Sequence, residues 1–415
     1  MLDWAERSRA SHLLLRPVRP PHDPELARAL NELRAVAAEV WDHRRLGRSS
    51  TRLVRRQIAL ERQIRDHRRH QRSEEPFQPT APASAQALSA ALGDSALVEF
   101  IHLDGQLYAI TVVGGRVRLR QLQPLAAIRD LIERVPFALH RLARHKADTA
   151  DQSAAQAMLR HAALRLDEVL FGPLARDLGD RDLVVIPTGP LQSLPWSVLP
   201  FCAGRPLTVS PSAALWFAGR GPHKRPGHIV VAAGPGLPGA RAEADAVAAI
   251  YQTAPLASTM ASVQAVTAAL DGADVAHLAA HGHLHLHNPL FSSLRFADGP
   301  LTVYDLERLH RPPQLVVLAA CDIGRPVVPA GDELLGLSAA FIAQGTRQII
   351  ASVTSIPDTQ ATHLMVAFHQ ALTAGIPAAS ALAQTQQNLA SADAATMATA
   401  ASFVCIGGEY TLAAA

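Results

Sequence analysis

A chain of 415 residues with 48% apolar and 18% charged side chains can bury a large core in two or three domains, which excludes long-range disorder. No window holds the ~20 uncharged apolar residues of a membrane helix, and the charged start MLDWAERSRASHLLL is no signal peptide, so a cytoplasmic protein without a membrane segment is expected. Cys202, Cys321 and Cys405 form neither a CxxC pair nor an even framework, so each is read as a lone thiol, and the net charge of +3 conceals eleven arginines between Arg44 and Arg72.

Residues 24 to 41 carry Leu26, Leu30, Leu33, Ala37 and Val40 on one helical face, with Asp23 as N-cap before Pro24. A second helix is expected over 50 to 72, where Val54, Ile58 and neighbouring leucines give a thinner apolar stripe under the arginines. Together they form a basic helical arm over 1–75. Asp42, Glu61, Asp66, Glu74 and Glu75 interrupt its charge, which favours a protein partner or a neighbouring domain over nucleic acid. The Pro- and Ala-rich PFQPTAPAS opens a linker placed at 76–92.

ALVEFIHLDGQLYAITVVGGRVRLRQL breaks at Asp104-Gly105 and Gly114-Gly115, dipeptides that suit tight hairpins, so a three-stranded antiparallel meander is expected. Helices over roughly 125 to 146 and 152 to 171 complete a unit at 93–172. From 173 to 415 short β-branched runs alternate with helical segments: LVVIP (183–187), HIVVAAG (228–234), VAHLAAH (275–281), QLVVLAAC (314–321), RQIIASV (347–353) and SFVCIG (402–407). Such near-continuous apolar strands predict an α/β fold, a mainly parallel sheet flanked by helices, with its active site outside the carboxyl ends of strands.

VAHLAAH ends on His281 before Gly282, and QLVVLAAC ends on Cys321 before Asp322 and Gly324. If the two strands are neighbours, both side chains emerge at one edge. An imidazole there can accept the thiol's proton or stabilise the thiolate, and the N–H groups of Gly282 and Cys321 are candidate oxyanion donors. His281, His283, His285 and His287 alternate, a spacing that also suits zinc, although no acidic or cysteine partner with familiar spacing lies nearby. His277, inside the strand, reads as a buried hydrogen-bonded residue. No P-loop and no GxSxG serine elbow occurs.

HLAAHGH, LVVLAACDIG, GDELLGLSAAFIAQGTRQIIASVTSIPD and ASFVCIGG, preceded by VVIPTGPLQSLPWSVLP and LPGARAEADAV, resemble in that order the CHAT peptidases, caspase-like cysteine proteases related to separase. The resemblance covers most of 170 to 410 and implies a caspase-like core over 173–415. It places the general base at His281, the nucleophile at Cys321 and an oxyanion donor at Gly282. Thr354-Ser355-Ile356 stands where the family commonly has Trp-Pro, and Asp322-Ile323 where it has Glu-Thr, so the pocket differs in shape. The family often carries a tetratricopeptide array; no 34-residue repeat is visible here, and the arm resembles the tail of one.

Asp332 and Glu333 are candidates to face a basic P1 side chain, or else to cap the helix beginning near Leu334; Arg325 is the candidate to select an acidic one. The expected protein is a cysteine endopeptidase acting on a protein substrate, with no metal or cofactor. By the resemblance, a partner activates it in a bacterial defence or cell-death pathway. The competing class is a catalytically silent caspase-like adaptor.

Overall fold

The computed structural model describes residues 23–70, 84–144, 149–220, 227–283, 291–319, 331–354 and 360–413. Helix α1 (Pro24–Arg45) starts where Asp23 Oδ1 accepts the N–H groups of Glu25 at 2.8 Å and Leu26 at 3.1 Å, the expected N-cap. Helix α2 (Thr51–His70) returns antiparallel to it, so that Arg56 pairs with Glu32 and His67 with Asp23. The face that α2 buries holds Leu60, Glu61 and Ile64; Leu60 is one of the expected neighbouring leucines, whereas Ile58 is 42% exposed. Leu26, Leu30, Leu33, Leu60 and Ile64 pack on Phe291 and Tyr304, which belong to the C-terminal half of the chain.

Within the stretch 76–92, residues Ala85–Leu92 form helix α3, capped by Ser84. The meander follows as β1 (Ala96–Leu103), β2 (Gln106–Val113) and β3 (Arg116–Pro124). Its turns place Asp104, Gly105, Gly114 and Gly115 at positive φ, the conformation that matches strand twist in two-residue hairpins. Helices α4 (Leu125–Leu142) and α5 (Thr149–Leu170) cover one face of it.

The remaining strands are β4 (Leu183–Ile186), β5 (Leu207–Val209), β6 (His228–Ala233), β7 (Ala273–Ala279), β8 (Gly282–His283), β9 (Ser293–Phe296), β10 (Gly299–Thr302), β11 (Leu315–Leu318), β12 (Gln348–Ser352) and β13 (Phe403–Gly407). Between them lie α6 (Pro238–Ile250), α7 (Val263–Leu270), α8 (Gly331–Gln344), α9 (Ala361–Thr373), α10 (Ala378–Leu389) and α11 (Ala394–Ala401). Strand β1 pairs in parallel with β4, so meander and α/β region share one ten-stranded sheet in the order β3-β2-β1-β4-β5-β13-β12-β11-β7-β6.

From β1 to β6 the pairing is parallel except that β13 runs antiparallel to β12. Helices on both faces bury these strands, which explains their unbroken apolar runs. Val275, Ala279, Val317 and Ile350 face α6, α9 and α10, whereas Ala276, Leu278, Val316 and Leu318 face α7 and α8. A small antiparallel sheet, β8-β9-β10, is inserted after β7.

Candidate active site

Strands β7 and β11 are parallel neighbours in the register His277 to Val317 and Leu278 to Leu318. Beyond the last pair, the N–H of Ala319 still donates to the carbonyl of Leu278 at 3.1 Å. The two strand ends therefore share one edge of the sheet. Strand β7 ends at Ala279, two residues before the expected His281, and β11 is described as far as Leu318. His281 stands three residues after Leu278 just as Cys321 stands three after Leu318. Cys321, Asp322 and Arg325 lie outside the described residues, as do Ser355 and Ile356.

His281 is held from three sides. Its Nε2 lies 3.4 Å from the carbonyl of Gly236, a group that can only accept. Gly236 has φ of 81°, a left-handed turn just ahead of α6 that brings this carbonyl to the imidazole. The Trp41 ring of α1 lies 5.1 Å from the His281 ring, centroid to centroid. The backbone carbonyl of His281 accepts from the N–H of Arg295 at 2.8 Å, and Gly282 and His283 pair with Leu294 and Ser293. No motif announced Gly236, Trp41 or Arg295, since each comes from a different element.

Beneath this edge, on the same face of β7, a polar chain crosses the core. Tyr251 Oη donates to His369 Nδ1 at 2.8 Å, His369 Nε2 to His277 Nδ1 at 3.1 Å, and His277 Nε2 to the Glu243 carboxylate at 3.0 Å. His277 is thus the buried, hydrogen-bonded residue its strand position suggested. Burial, with His277 alongside, holds His369 well below the usual imidazole range, and burial beside Asp274 pushes the Tyr251 hydroxyl up. Among the described residues no group of three or more His, Cys, Asp or Glu gathers to hold a metal, and His285 and His287 lie outside them.

The other two cysteines are buried. Burial pushes the Cys202 thiol far up and the Cys405 thiol to about 12, so neither yields thiolate near neutral pH. Asp332 and Glu333 fall in the first turn of α8, and their side chains are outside the description. A cavity of about 250 Å³ opens between the helical arm and the small sheet, with His281 and Gly282 in its wall.

The CHAT domain family model matches residues 160–408, well over half of the chain. The chain belongs to the CHAT domain family. The fold of this CHAT protein is caspase-like. It is similar to that of chains in two crystal structures of the Saccharomyces cerevisiae separase–securin complex, at 3.0 and 2.6 Å resolution, with TM-scores of 0.60 and 0.55. Identity is 8% in both; the alignments cover 79% and 78% of this chain but 31% of each matched chain. The CHAT protein thus spans just under a third of those chains, and the likeness is one of fold. No curated protein matches the sequence. No helix among the described residues is long and apolar enough to cross a membrane.

Proposed function

We propose that this CHAT protein is a cysteine endopeptidase with Cys321 as nucleophile and His281 as its acid–base partner. The reading rests on the in-register parallel pairing of β7 and β11, whose ends lead to His281 and Cys321. The imidazole of His281 takes the thiol proton, and the thiolate attacks the peptide carbonyl carbon. Backbone N–H groups of Gly282 and Cys321 stabilise the oxyanion. The imidazolium then protonates the leaving amine as the C–N bond breaks. Water, deprotonated by His281, hydrolyses the thioester and restores the thiol. The scheme needs no metal or organic cofactor.

By charge, Arg325 suits an acidic residue before the cut and Asp332 and Glu333 a basic one, although their place in the first turn of α8 equally suits a role at the helix N-terminus. The matched separase chains come from complexes with securin. Those complexes support a protein partner for this chain; its role as an activator in a bacterial defence or cell-death pathway rests on the family resemblance alone. The competing reading is a silent adaptor, favoured by the Trp41 ring packed against His281.

Identifying new N-termini after incubation with a protein mixture separates the two. A peptidase of this kind produces them with chelator present and loses them in Cys321→Ala and His281→Ala. Cleavage that persists in Cys321→Ala and disappears with chelator contradicts the dyad.

A further inference from the structure

Helices α1 and α2 and the sheet β8-β10 enclose the cavity of about 250 Å³, whose wall includes Trp41, Arg44, Glu61, His281, Gly282 and Arg295. Its position relative to the scissile bond follows from topology. Strand β11, leading to Cys321, flanks β7 on one side, and β6 flanks it on the other. Arg295 sits toward β6: a Cβ on Gly234, the residue after β6, would lie 2.3 Å from the Arg295 carbonyl. Among the described residues, none in the cavity wall belongs to β11 or β12.

In a Cys–His peptidase the histidine gives its proton to the leaving amine, so the segment C-terminal to the cut lies on the histidine's side. The cavity lies on that side of β7. Its chemistry is set by Arg295, whose N–H is bonded to the His281 carbonyl at 2.8 Å and whose guanidinium stacks on Trp41 at 4.5 Å from the ring centroid. The Arg295 side chain is 19% exposed and its ion pair with Asp42, itself 58% exposed, is long at 3.7 Å. The buried Nε has no hydrogen-bond partner. A largely desolvated guanidinium whose ion pair is long and exposed favours a further carboxylate. Arg44 adds a second cation, and Glu61, the carboxylate in the wall, accepts from Gln57 Nε2 at 2.9 Å.

We propose that this cavity is a primed-side subsite for an acidic side chain within the first few residues after the scissile bond, with Arg295 as its specificity residue. The helical arm is then one wall of the substrate site. The proposal rests on the His281–Cys321 reading, and its test keeps the two apart.

The full chain is incubated with a proteome-derived peptide library, and the residues after each cut are tallied for wild type, Cys321→Ala, Arg295→Gln, Arg295→Glu and Arg44→Gln. Asp and Glu are expected to be enriched after the cut in wild type. Arg295→Gln lowers that preference about tenfold, the scale of one charge-assisted pair, and Arg295→Glu turns it toward Lys and Arg. The exposed Arg44→Gln, which disturbs no packing, lowers it by a smaller factor. Absence of any Cys321-dependent cut overturns the dyad reading and the subsite together. Cys321-dependent cuts with no acidic preference after the bond, or with a preference unmoved by the Arg295 and Arg44 variants, overturn the subsite and leave the dyad standing.

Discussion

The chain Tyr251–His369–His277–Glu243 ties α6, β7 and α9 together, with His369, His277 and Glu243 buried and Tyr251 half-buried. Replacing His277 with Ala strands a carboxylate and an imidazole in the core, and a loss of about 3 kcal/mol or more in denaturant unfolding is expected. His369 adds a pH dependence. Its folded-state pKa is depressed, so the unfolded chain takes up this proton first. Stability therefore falls as pH drops below the unfolded value of ~6.5, by up to about 1.4 kcal/mol per pH unit, until the folded imidazole is also protonated. Unfolding curves from pH 7.5 to 5 check this, and His369→Leu should flatten that part of the slope. A slope unchanged in His369→Leu would assign the effect elsewhere. His277 was legible as a core histidine because it sits inside an apolar strand, but its partners were not: Glu243 lies 34 residues away and His369 lies 92.

The helical arm docks through a small apolar cluster, the Arg34–Asp305 pair and the Trp41 contacts. Leu30, 3% exposed, packs in the small cluster around Phe291 and Tyr304. Leu30→Ala is expected to cost about 3 kcal/mol, confined to α1 and α2. Hydrogen exchange should show faster exchange there and unchanged protection in β7 and β11. Gly299, at φ of 135°, lies where a Cβ would come 2.8 Å from the Arg34 carbonyl, so Gly299→Ala should loosen the same docking. Equal loss of protection in the central strands would mean that the arm is integral to the core. Six core strands and the meander were visible as β-branched runs, with boundaries off by one to three residues. The three-residue β5 carried too little signal, and an apolar run does not encode direction, so antiparallel β13 was not foreseen. The arm's docking on Phe291 and Tyr304 is a long-range packing event without a local period.

At the scale of the molecule, meander and caspase-like region share one sheet, joined through β1 and β4. Thermal unfolding of that sheet is expected as one transition; a separate melting of the meander would show two independent units. The same sheet orders the candidate site, since the β7–β11 register brings the strand ends that precede His281 and Cys321 to one edge. Here sequence reasoning reached furthest, because each strand end carries a short motif, whereas Trp41 and Arg295 reach His281 only through tertiary structure. The dyad is tested most directly by the rate of Cys321 alkylation against pH, followed by mass spectrometry in wild type and His281→Ala. Cys202 and Cys405 are buried and held as thiols, so they stay silent. The expected result is an inflection well below the free-thiol value of ~8.5 that moves upward in His281→Ala. An inflection near ~8.5 that is indifferent to His281 would contradict the dyad.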